Sequence, residues 1–210
     1  MEKQRSNWTE RSFDIQVRSS EAGAGENENG ELWIEGYAAI FNSPTVLFKH
    51  KGVEYKEQIK DTAFESCNMQ DVVFNYNHGG KVIARTRNKT LFLTVDSKGL
   101  FIRARLDGTE EGRKLYEEIK GGYIDKMSFR FLIKEESLDE ENHMWTIHSI
   151  EHLYDVSAVD FPAYDDTSVS ARKSMLEEDE EKRERLLKQK LLQRRLKTKI
   201  KLSMKEEGNK

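Results

Sequence analysis

From Leu32 to about Asp160 the chain is a succession of short segments in which apolar and polar residues alternate. Because successive side chains of a strand point to opposite faces, this period of two is typical of half-buried strands. The segments are LWIEGYAAIF, DVVFNYNH, KVIART, LFLTVD, LFIRARL, MSFRFLIKEE, MWTIHSIEHL and YDVSAVDF, separated by turn residues. Many short strands at this spacing favour an antiparallel barrel or sandwich.

Two flanking segments precede this region. Residues 12–18, SFDIQVR, alternate in the same way and are predicted to form the first strand, after an N-terminal tail of residues 1–11. Residues 19–31 are rich in Gly, Glu and Asn, a composition typical of a mobile loop. A single domain is therefore predicted over residues 12–172, with that loop inside it.

Three stretches show helical signals instead. In KDTAFESC, Asp61 or Thr62 is placed to cap a short turn. In DGTEEGRKLYEEIKGG, Leu115 and Ile119 share a face, acidic residues stand in the first turn and a glycine pair follows. Residues 173–210 are predicted to form a separate, basic amphipathic C-terminal helix, with five apolar residues at helical spacing: Leu187, Leu191, Leu192, Leu196 and Ile200.

The composition argues against several classes of protein. A net charge of −3 gives no overall field for nucleic acid, and no apolar run approaches the roughly 20 residues that span a bilayer. The start of the chain, MEKQRSNWTERSF, is too polar for a signal peptide. The single cysteine excludes an internal disulfide and a thiolate-rich zinc site. We therefore expect a soluble intracellular protein that contacts no membrane.

The candidate ligands favour neither metal nor thiol chemistry. His148 and His152 are four residues apart, but IHSIEHLYDV alternates like a strand, on which that spacing leaves the side chains too far apart to share an ion. Cys67 stands near the predicted short turn, and a lone cysteine is more often a small buried apolar residue than a nucleophile. We therefore predict no cofactor and no bound metal.

His78 follows the alternating strand DVVFNYN and precedes two glycines, which places it at the tip of a predicted hairpin. Three interpretations are open from the residues alone: a polar turn residue, a metal ligand or a general base. The turn residue is the simplest of them. The two glycines are expected to let the hairpin turn sharply without bulk beside the imidazole.

Ser128 and Arg130 share one face of the predicted strand YIDKMSFRFLI, opposite an apolar row that includes Met127 and Phe129. An exposed serine there serves as a nucleophile if a histidine lies within ~3 Å of it. The guanidinium of Arg130 would then be placed to orient an oxyanion or a substrate carbonyl. Periodicity alone favours the simpler interpretation, a serine and an arginine on the solvated side of a strand.

Four separated blocks of the chain are informative together: EGYAAIFNSP, NYNHGGKVIARTRNKTLFLTVDSKGLFIRARL, GRKLYEEIKGGYIDKMSFRF and LYDVSAVDFPAYDDTSV. They resemble, in this order, the opening, histidine, serine and closing blocks of one family, the prohead proteases of tailed bacteriophages. The blocks cover roughly residues 32–170 in the family's order. Many members have a glycine where this chain has Arg130, a departure that bears on substrate preference.

The resemblance implies a mainly β fold with helices, α+β, like that of the herpesvirus assembly proteases (assemblin): a small closed antiparallel β-barrel surrounded by helices. It implies a serine endopeptidase without a cofactor, located in the host cell cytoplasm inside the assembling procapsid. The expected partners and substrates are the major capsid protein and its scaffold segments, together with the protease itself. A homodimer is expected by analogy.

Carried over residue by residue, the resemblance makes His78 the general base and Ser128 the nucleophile. In the phage family an acidic residue of the closing block is the usual third member, and Asp155 holds that place. The herpesvirus enzymes use a second histidine, so His152 is a rival, and Glu151 is another. Asp155 is preferred, since a carboxylate fixes the tautomer of the base.

Two questions remain open from the sequence. One is whether the chain is instead a catalytically inactive capsid assembly module with the same barrel. The other is the role of the C-terminal helix, which would hold the protein to scaffold or capsid protein, or be only a solvated helix. Its seven basic and no acidic residues from Lys188 to Lys201 make nucleic-acid contact conceivable, but scaffold-like assembly is preferred.

Overall fold

The computed structural model describes residues 9–13, 31–161 and 166–207. The chain divides into two compact units, Met1–Asp165 and Asp166–Lys210, and each is described by itself. The described residues form a mixed α+β fold, mostly strands with two helices. No helix among these residues is both long enough and apolar enough to cross a membrane.

The first unit contains ten strands and one helix, and the second unit one helix, within the described part of the chain. They are β1 Thr9–Phe13, β2 Trp33–Ile40, β3 Thr45–His50, β4 Val53–Ile59, β5 Val73–Tyr76, β6 Gly79–Arg85, β7 Leu91–Val95, β8 Gly99–Arg105, α1 Glu110–Lys120, β9 Lys126–Asp139, β10 Met144–Val159 and α2 Asp166–Glu207.

The strands pair into two sheets. Seven strands form the larger sheet, in the order β1-β9-β10-β4-β3, with β5 paired to both β10 and β6; β2, β8 and β7 form the smaller one. The long strand β10 is antiparallel to β9 but parallel to β4 and β5. The expectation of a purely antiparallel arrangement is therefore wrong for the described strands. Their pairings do not close into a ring, so the closed barrel stays a prediction.

One hydrophobic core unites both sheets and helix α1. Strand β9 contributes Met127, Phe129 and Phe131, all fully buried, and the last two rings stack with their centroids 4.6 Å apart. Leu115 and Ile119 of α1 join the same cluster. Burying each such side chain stabilises the fold by about 1.5–3 kcal/mol. The alternation predicted for β9 is confirmed here, and it fixes the opposite direction for Ser128.

Helix α1 is the helix predicted from DGTEEGRKLYEEIKGG. Thr109 is its N-cap, with extended backbone and a side-chain oxygen that accepts a hydrogen bond from Gly112 N at 2.9 Å. A β-carbon on Gly112 would come 2.2 Å from the carbonyl oxygen of Leu106, so only glycine fits at this turn. The shorter stretch 61–66 forms consecutive turns, which confirms the short turn predicted in KDTAFESC.

The N-terminal strand differs from its prediction. Strand β1 runs from Thr9 to Phe13, so it begins inside the predicted tail of residues 1–11, and it pairs with β9. Most of the predicted strand 12–18 and nearly all of the predicted loop 19–31 lie outside the described residues.

Helix α2 also differs from its prediction. It begins at Asp166, ahead of the predicted start at residue 173, and continues to Glu207. Its four exposed central leucines are Leu186, Leu187, Leu191 and Leu192. Neighbours in sequence lie about 100° apart around a helix, so these two adjacent pairs spread over more than half of its circumference. These four exposed leucines do not gather on one face, and the amphipathic character predicted for residues 173–210 from Leu187, Leu191, Leu192, Leu196 and Ile200 stays a prediction.

Candidate active site

The β5–β6 hairpin carries His78 on a two-residue turn. Tyr76 pairs with Gly79, so Asn77 and His78 are the two central residues, and both have positive φ, 49° and 53°. Two consecutive residues of this kind are the mark of a type I′ hairpin turn, whose twist matches that of the strands. The expectation that the glycines make the turn is thus wrong: Asn77 and His78 make it, and Gly79 already belongs to β6.

Hydrogen bonds fix the tip of this hairpin to the end of β10. Asn77 donates from its backbone to Ala158 O at 2.9 Å and from its side chain to Asp160 Oδ2 at 3.0 Å. The hydroxyl of Tyr76 also donates to the Asp160 carboxylate. The hydrogen bond from Tyr76, and after it the one from the Asn77 side chain, holds the pKa of Asp160 below its usual range. His78 therefore directly follows two residues, Tyr76 and Asn77, that are anchored to β10 and to Asp160.

Strand pairing brings the three predicted site residues to neighbouring strands. Strand β10 lies between β9 and β5, and Ser157 of β10 is the partner of Ser128 in the register with β9. On the other side of β10, Asp155 pairs with Val73 near the start of β5, the strand that leads to His78. Residues that are 77 and 50 positions apart in sequence thus meet on one sheet.

The side chains of Asp155, His78 and Ser128 form a continuous hydrogen-bonded chain. Nδ1 of His78 lies 2.6 Å from Asp155 Oδ1, and its Nε2 lies 2.6 Å from Ser128 Oγ. The side chains of His78 and Asp155 are only 4% and 5% exposed, and Ser128 is 0% exposed. The expectation of an exposed serine is therefore wrong, although its partner is the predicted histidine.

The two rivals for the third position lie elsewhere. Glu151 is exposed, and the ring of His152 packs against that of Tyr154 with centroids 4.4 Å apart. Strand β10 has several register shifts against β9, one of them between Leu153 and Asp155. Such a bulge changes which side chains share a face. Strict alternation would put Leu153 and Asp155 on one face, but Leu153 is buried in the core while Asp155 faces His78.

Two buried polar residues next to these hydrogen bonds, Ser157 and Asn75, were not predicted from the sequence. Ser157 Oγ lies 3.0 Å from Asp155 Oδ1 and 3.2 Å from His78 Nδ1, and it also bonds the side chain of Asn75. Ser157 is fully buried and Asn75 nearly so. The signal for Ser157 was present, since it stands two residues after Asp155 and so on the same face of a strand.

Arg130 contacts the carboxylate from the other side. Its Nη1 lies 3.5 Å from Asp155 Oδ2 and donates to the backbone oxygen of His78 at 3.3 Å. Its side chain is 20% exposed. Both oxygens of Asp155 therefore have partners, His78 and Ser157 at Oδ1 and Arg130 at Oδ2.

A cavity of about 470 Å³ adjoins the hairpin. It lies between β6 and helix α1, with Ile83 and Leu115 among its apolar residues and Lys81 and Glu111 among its charged ones. Asn77 and Gly79, the chain neighbours of His78, also line it. An apolar space next to the hairpin tip is suited to an apolar side chain of a bound peptide.

Cys67 is unsuited to nucleophilic chemistry. Its burial raises the pKa of the thiol to about 12, and Sγ donates to the backbone oxygen of Asn68 at 3.8 Å. The thiolate, not the thiol, is the nucleophile. Among the described residues, moreover, no three His, Cys, Asp or Glu side chains are grouped so that they would hold a metal ion.

The thiol of Cys67 is expected to react slowly in the folded protein. At pH 8 a pKa of about 12 leaves on the order of one thiolate in ten thousand, so alkylation by iodoacetamide should be on the order of a thousandfold slower than in the urea-unfolded chain. Intact-mass measurements over time give both rates. Equal rates in the folded and unfolded chain would contradict the buried, protonated thiol.

Comparison with protein families identifies the family of this chain. A family model described as caudovirus prohead serine protease matches residues 13–182. Searches of curated proteins and of solved structures each returned no match. The family match spans most of the chain and includes His78, Ser128 and Asp155. The chain therefore belongs to the caudovirus prohead serine protease family.

Proposed function

We propose that this chain is a serine endopeptidase of procapsid maturation, with Ser128 as nucleophile, His78 as general base and Asp155 as the residue that orients the base. The single observation that carries the proposal is the hydrogen-bonded chain from Asp155 through His78 to Ser128, with both separations at 2.6 Å. Nucleophile, base and orienting carboxylate within such reach are the geometric signature of this chemistry. Family membership supports the same reaction class.

The proposed reaction has two steps. His78 Nε2 takes the hydroxyl proton as Ser128 Oγ attacks the peptide carbonyl, and returns it to the amine that leaves. The acyl-enzyme is then cleaved by a water molecule that His78 deprotonates in the same way. Asp155 accepts the hydrogen bond of Nδ1–H, which keeps Nε2 unprotonated before attack and stabilises the imidazolium afterwards.

The proposed substrates are scaffold segments of the major capsid protein and the protease itself. The proposed location is the interior of a procapsid assembling in the host cell, and the proposed assembly is a homodimer or a larger complex with the capsid protein. Membership of a prohead protease family supports a role at the capsid. The peptidase is proposed to occupy residues 12–172, and helix α2 is proposed to contact scaffold or capsid protein rather than nucleic acid.

The test is co-expression of this chain with its major capsid protein, followed by mass spectrometry of both. We expect shortened capsid protein and self-trimmed protease with the wild-type chain. With the Ser128→Ala variant we expect both the capsid protein and the protease to keep their full-length masses. The matched control is Ser149→Ala, which removes a hydroxyl from β10 away from the site and should trim like wild type. Intact masses with all three chains would overturn the proposal.

One observation favours a second candidate, a catalytically inactive capsid assembly module. Ser128 is fully buried, so a peptide carbonyl has no access to its Oγ in this conformation. The second candidate predicts procapsids of normal form in cells that produce the Ser128→Ala chain, and no cleavage in cells that produce the wild-type chain.

Arg130 is proposed to position Asp155 and the hairpin. Its contacts with Asp155 Oδ2 and the His78 carbonyl support this role. The oxyanion role inferred from the sequence stays a prediction, since neither of these two contacts involves Ser128.

Ser157 is expected to act as a positioning residue for the same chain of hydrogen bonds. Ser157→Ala should lower kcat about 10- to 100-fold with little change in KM, because the loss of a buried hydrogen bond costs about 1–3 kcal/mol. Ser157→Thr keeps the hydroxyl and should retain most of the activity. A fluorogenic peptide built on a mapped self-cleavage site gives both constants. Equal losses in the two variants would contradict a role for the hydroxyl.

A further inference from the structure

The proposed nucleophile and base are closed to substrate in this conformation. Ser128 is 0% exposed, and the side chain of His78 is 4% exposed. A peptide carbonyl must approach Ser128 Oγ to within about 3–3.5 Å before attack. Some element next to Ser128 therefore has to leave before the proposed reaction begins.

Two strands flank Ser128, and they are held very differently. In the two registers, Ser128 pairs with Ser157 of β10 on one side and with Ser12 of β1 on the other. Strand β10 pairs with β9 along nearly its whole length and also with β4 and β5. Strand β1 pairs through five residues, Thr9–Phe13, and β9 is its only partner among the described strands. Because short, singly paired segments open at the lowest free-energy cost, β1 is the element that can leave.

The departure of β1 would free a strand edge directly beside the nucleophile. The backbone of β9 from Met127 to Phe131 would then present unpaired N–H and C=O groups, which are a template for another extended chain. A peptide on that edge would lie about 4.8 Å from β9. The residue of that peptide in register with Ser128 would take the place that Ser12 of β1 now holds.

We infer that the β9 edge from Met127 to Phe131 is the site at which the substrate binds as an added antiparallel strand, and that β1 occupies this site within the same chain. The ligand class is an extended peptide, recognised mainly through its backbone. Main-chain hydrogen bonds of this kind give affinity, and pockets for alternate side chains give sequence preference. This inference rests on the proposed function, since the edge borders the proposed nucleophile.

The binding test uses the full chain in a Ser128→Ala background, so that the probe is not cleaved. The probe is a fluorescein-labelled peptide of residues 7–15, NWTERSFDI, which contains the β1 sequence. One variant carries prolines at Arg11 and Ser12. Neighbouring strand residues direct their N–H groups to opposite sides, so one of the two prolines removes a donor to β9. The matched control carries prolines at Gln4 and Arg5, which precede β1.

We expect the probe to bind the Arg11/Ser12 proline variant at least tenfold more tightly than the parent or the control. A chain that lacks residues 1–13 should behave like the proline variant, and a cooperative thermal unfolding transition confirms that each chain is folded. Equal affinity for all folded chains would overturn the inference.

An activity measurement separates this inference from the proposed function. With Ser128 restored, the proline variant should cleave a peptide substrate with a kcat/KM at least tenfold above that of the control, and peptide 7–15 should compete with the substrate. Ser128-dependent cleavage that is unchanged by the prolines and by the peptide would overturn the inference alone. Tight probe binding without any Ser128-dependent cleavage would overturn the proposed function alone.

Discussion

Replacement of either Ser128 or His78 with alanine is expected to lower kcat by about 10⁶, and the double variant is expected to lose no more than either single one. The reason is that the two side chains act as one unit, joined by the 2.6 Å contact between Nε2 and Oγ. Without the base the hydroxyl keeps its proton, and without the hydroxyl the base has no proton to accept. Turnover of a fluorogenic peptide built on a self-cleavage site measures all three variants.

The control for this pair is chosen to separate chemistry from folding. Ser149→Ala makes the same chemical change on β10, where the hydroxyl of Ser149 lies 3.4 Å from that of Ser66 and away from the site. It should retain wild-type kcat. Losses that multiply in the double variant would show that the two side chains act independently and would contradict the proposed pair.

The third position is expected to be decided by a comparison of three substitutions. Asp155→Asn should lower kcat by about 10⁴, because an amide keeps the shape of the carboxylate but stabilises the wrong tautomer of the base. Glu151→Gln and His152→Ala should each stay within a few-fold of wild type, because neither side chain contacts His78 in this structure. The readout is the kcat of the same peptide assay.

The outcome that would contradict this assignment is specific. A loss of activity in His152→Ala larger than that in Asp155→Asn would make the second histidine the partner of His78, as in the herpesvirus enzymes. Near-UV circular dichroism of each variant shows whether its aromatic packing is native. A folded Asp155→Asn chain with full activity would also exclude the buried Asp155 carboxylate as the third catalytic residue.

Local periodicity correctly predicted those strands and helices that have one apolar face buried in the core. The row of Met127, Phe129 and Phe131 is apolar because it faces the core, and this fixed the direction of Ser128. Helix α1 was predicted because its acidic first turn, its apolar face and the glycine pair after it agree, as Glu110, Leu115 and Gly121 show. Such features depend on residues that are neighbours in sequence, so they can be predicted from the sequence pattern alone.

Features that depend on distant partners were not predictable in this way. The parallel pairing of β10 with β4 and β5 joins segments far apart in the chain, and an alternating pattern is the same for either strand direction. The register shift between Leu153 and Asp155 leaves no signature in residue type, yet it decides which side chains reach His78. Periodicity alone favoured a turn residue at His78. The family resemblance made His78 and Asp155 candidates for the active site.

The backbone conformation of His78 implies a conflict between stability and catalysis within one turn. A side chain other than glycine in the left-handed region costs roughly 1–2 kcal/mol, and both Asn77 and His78 lie there. Asn-Gly is the sequence that a type I′ turn favours most, so selection for stability alone would place glycine at position 78. The chain instead keeps a histidine with a strained backbone at the tip of the hairpin. The residue that the proposed chemistry uses as its base is thus held in a backbone conformation that costs stability.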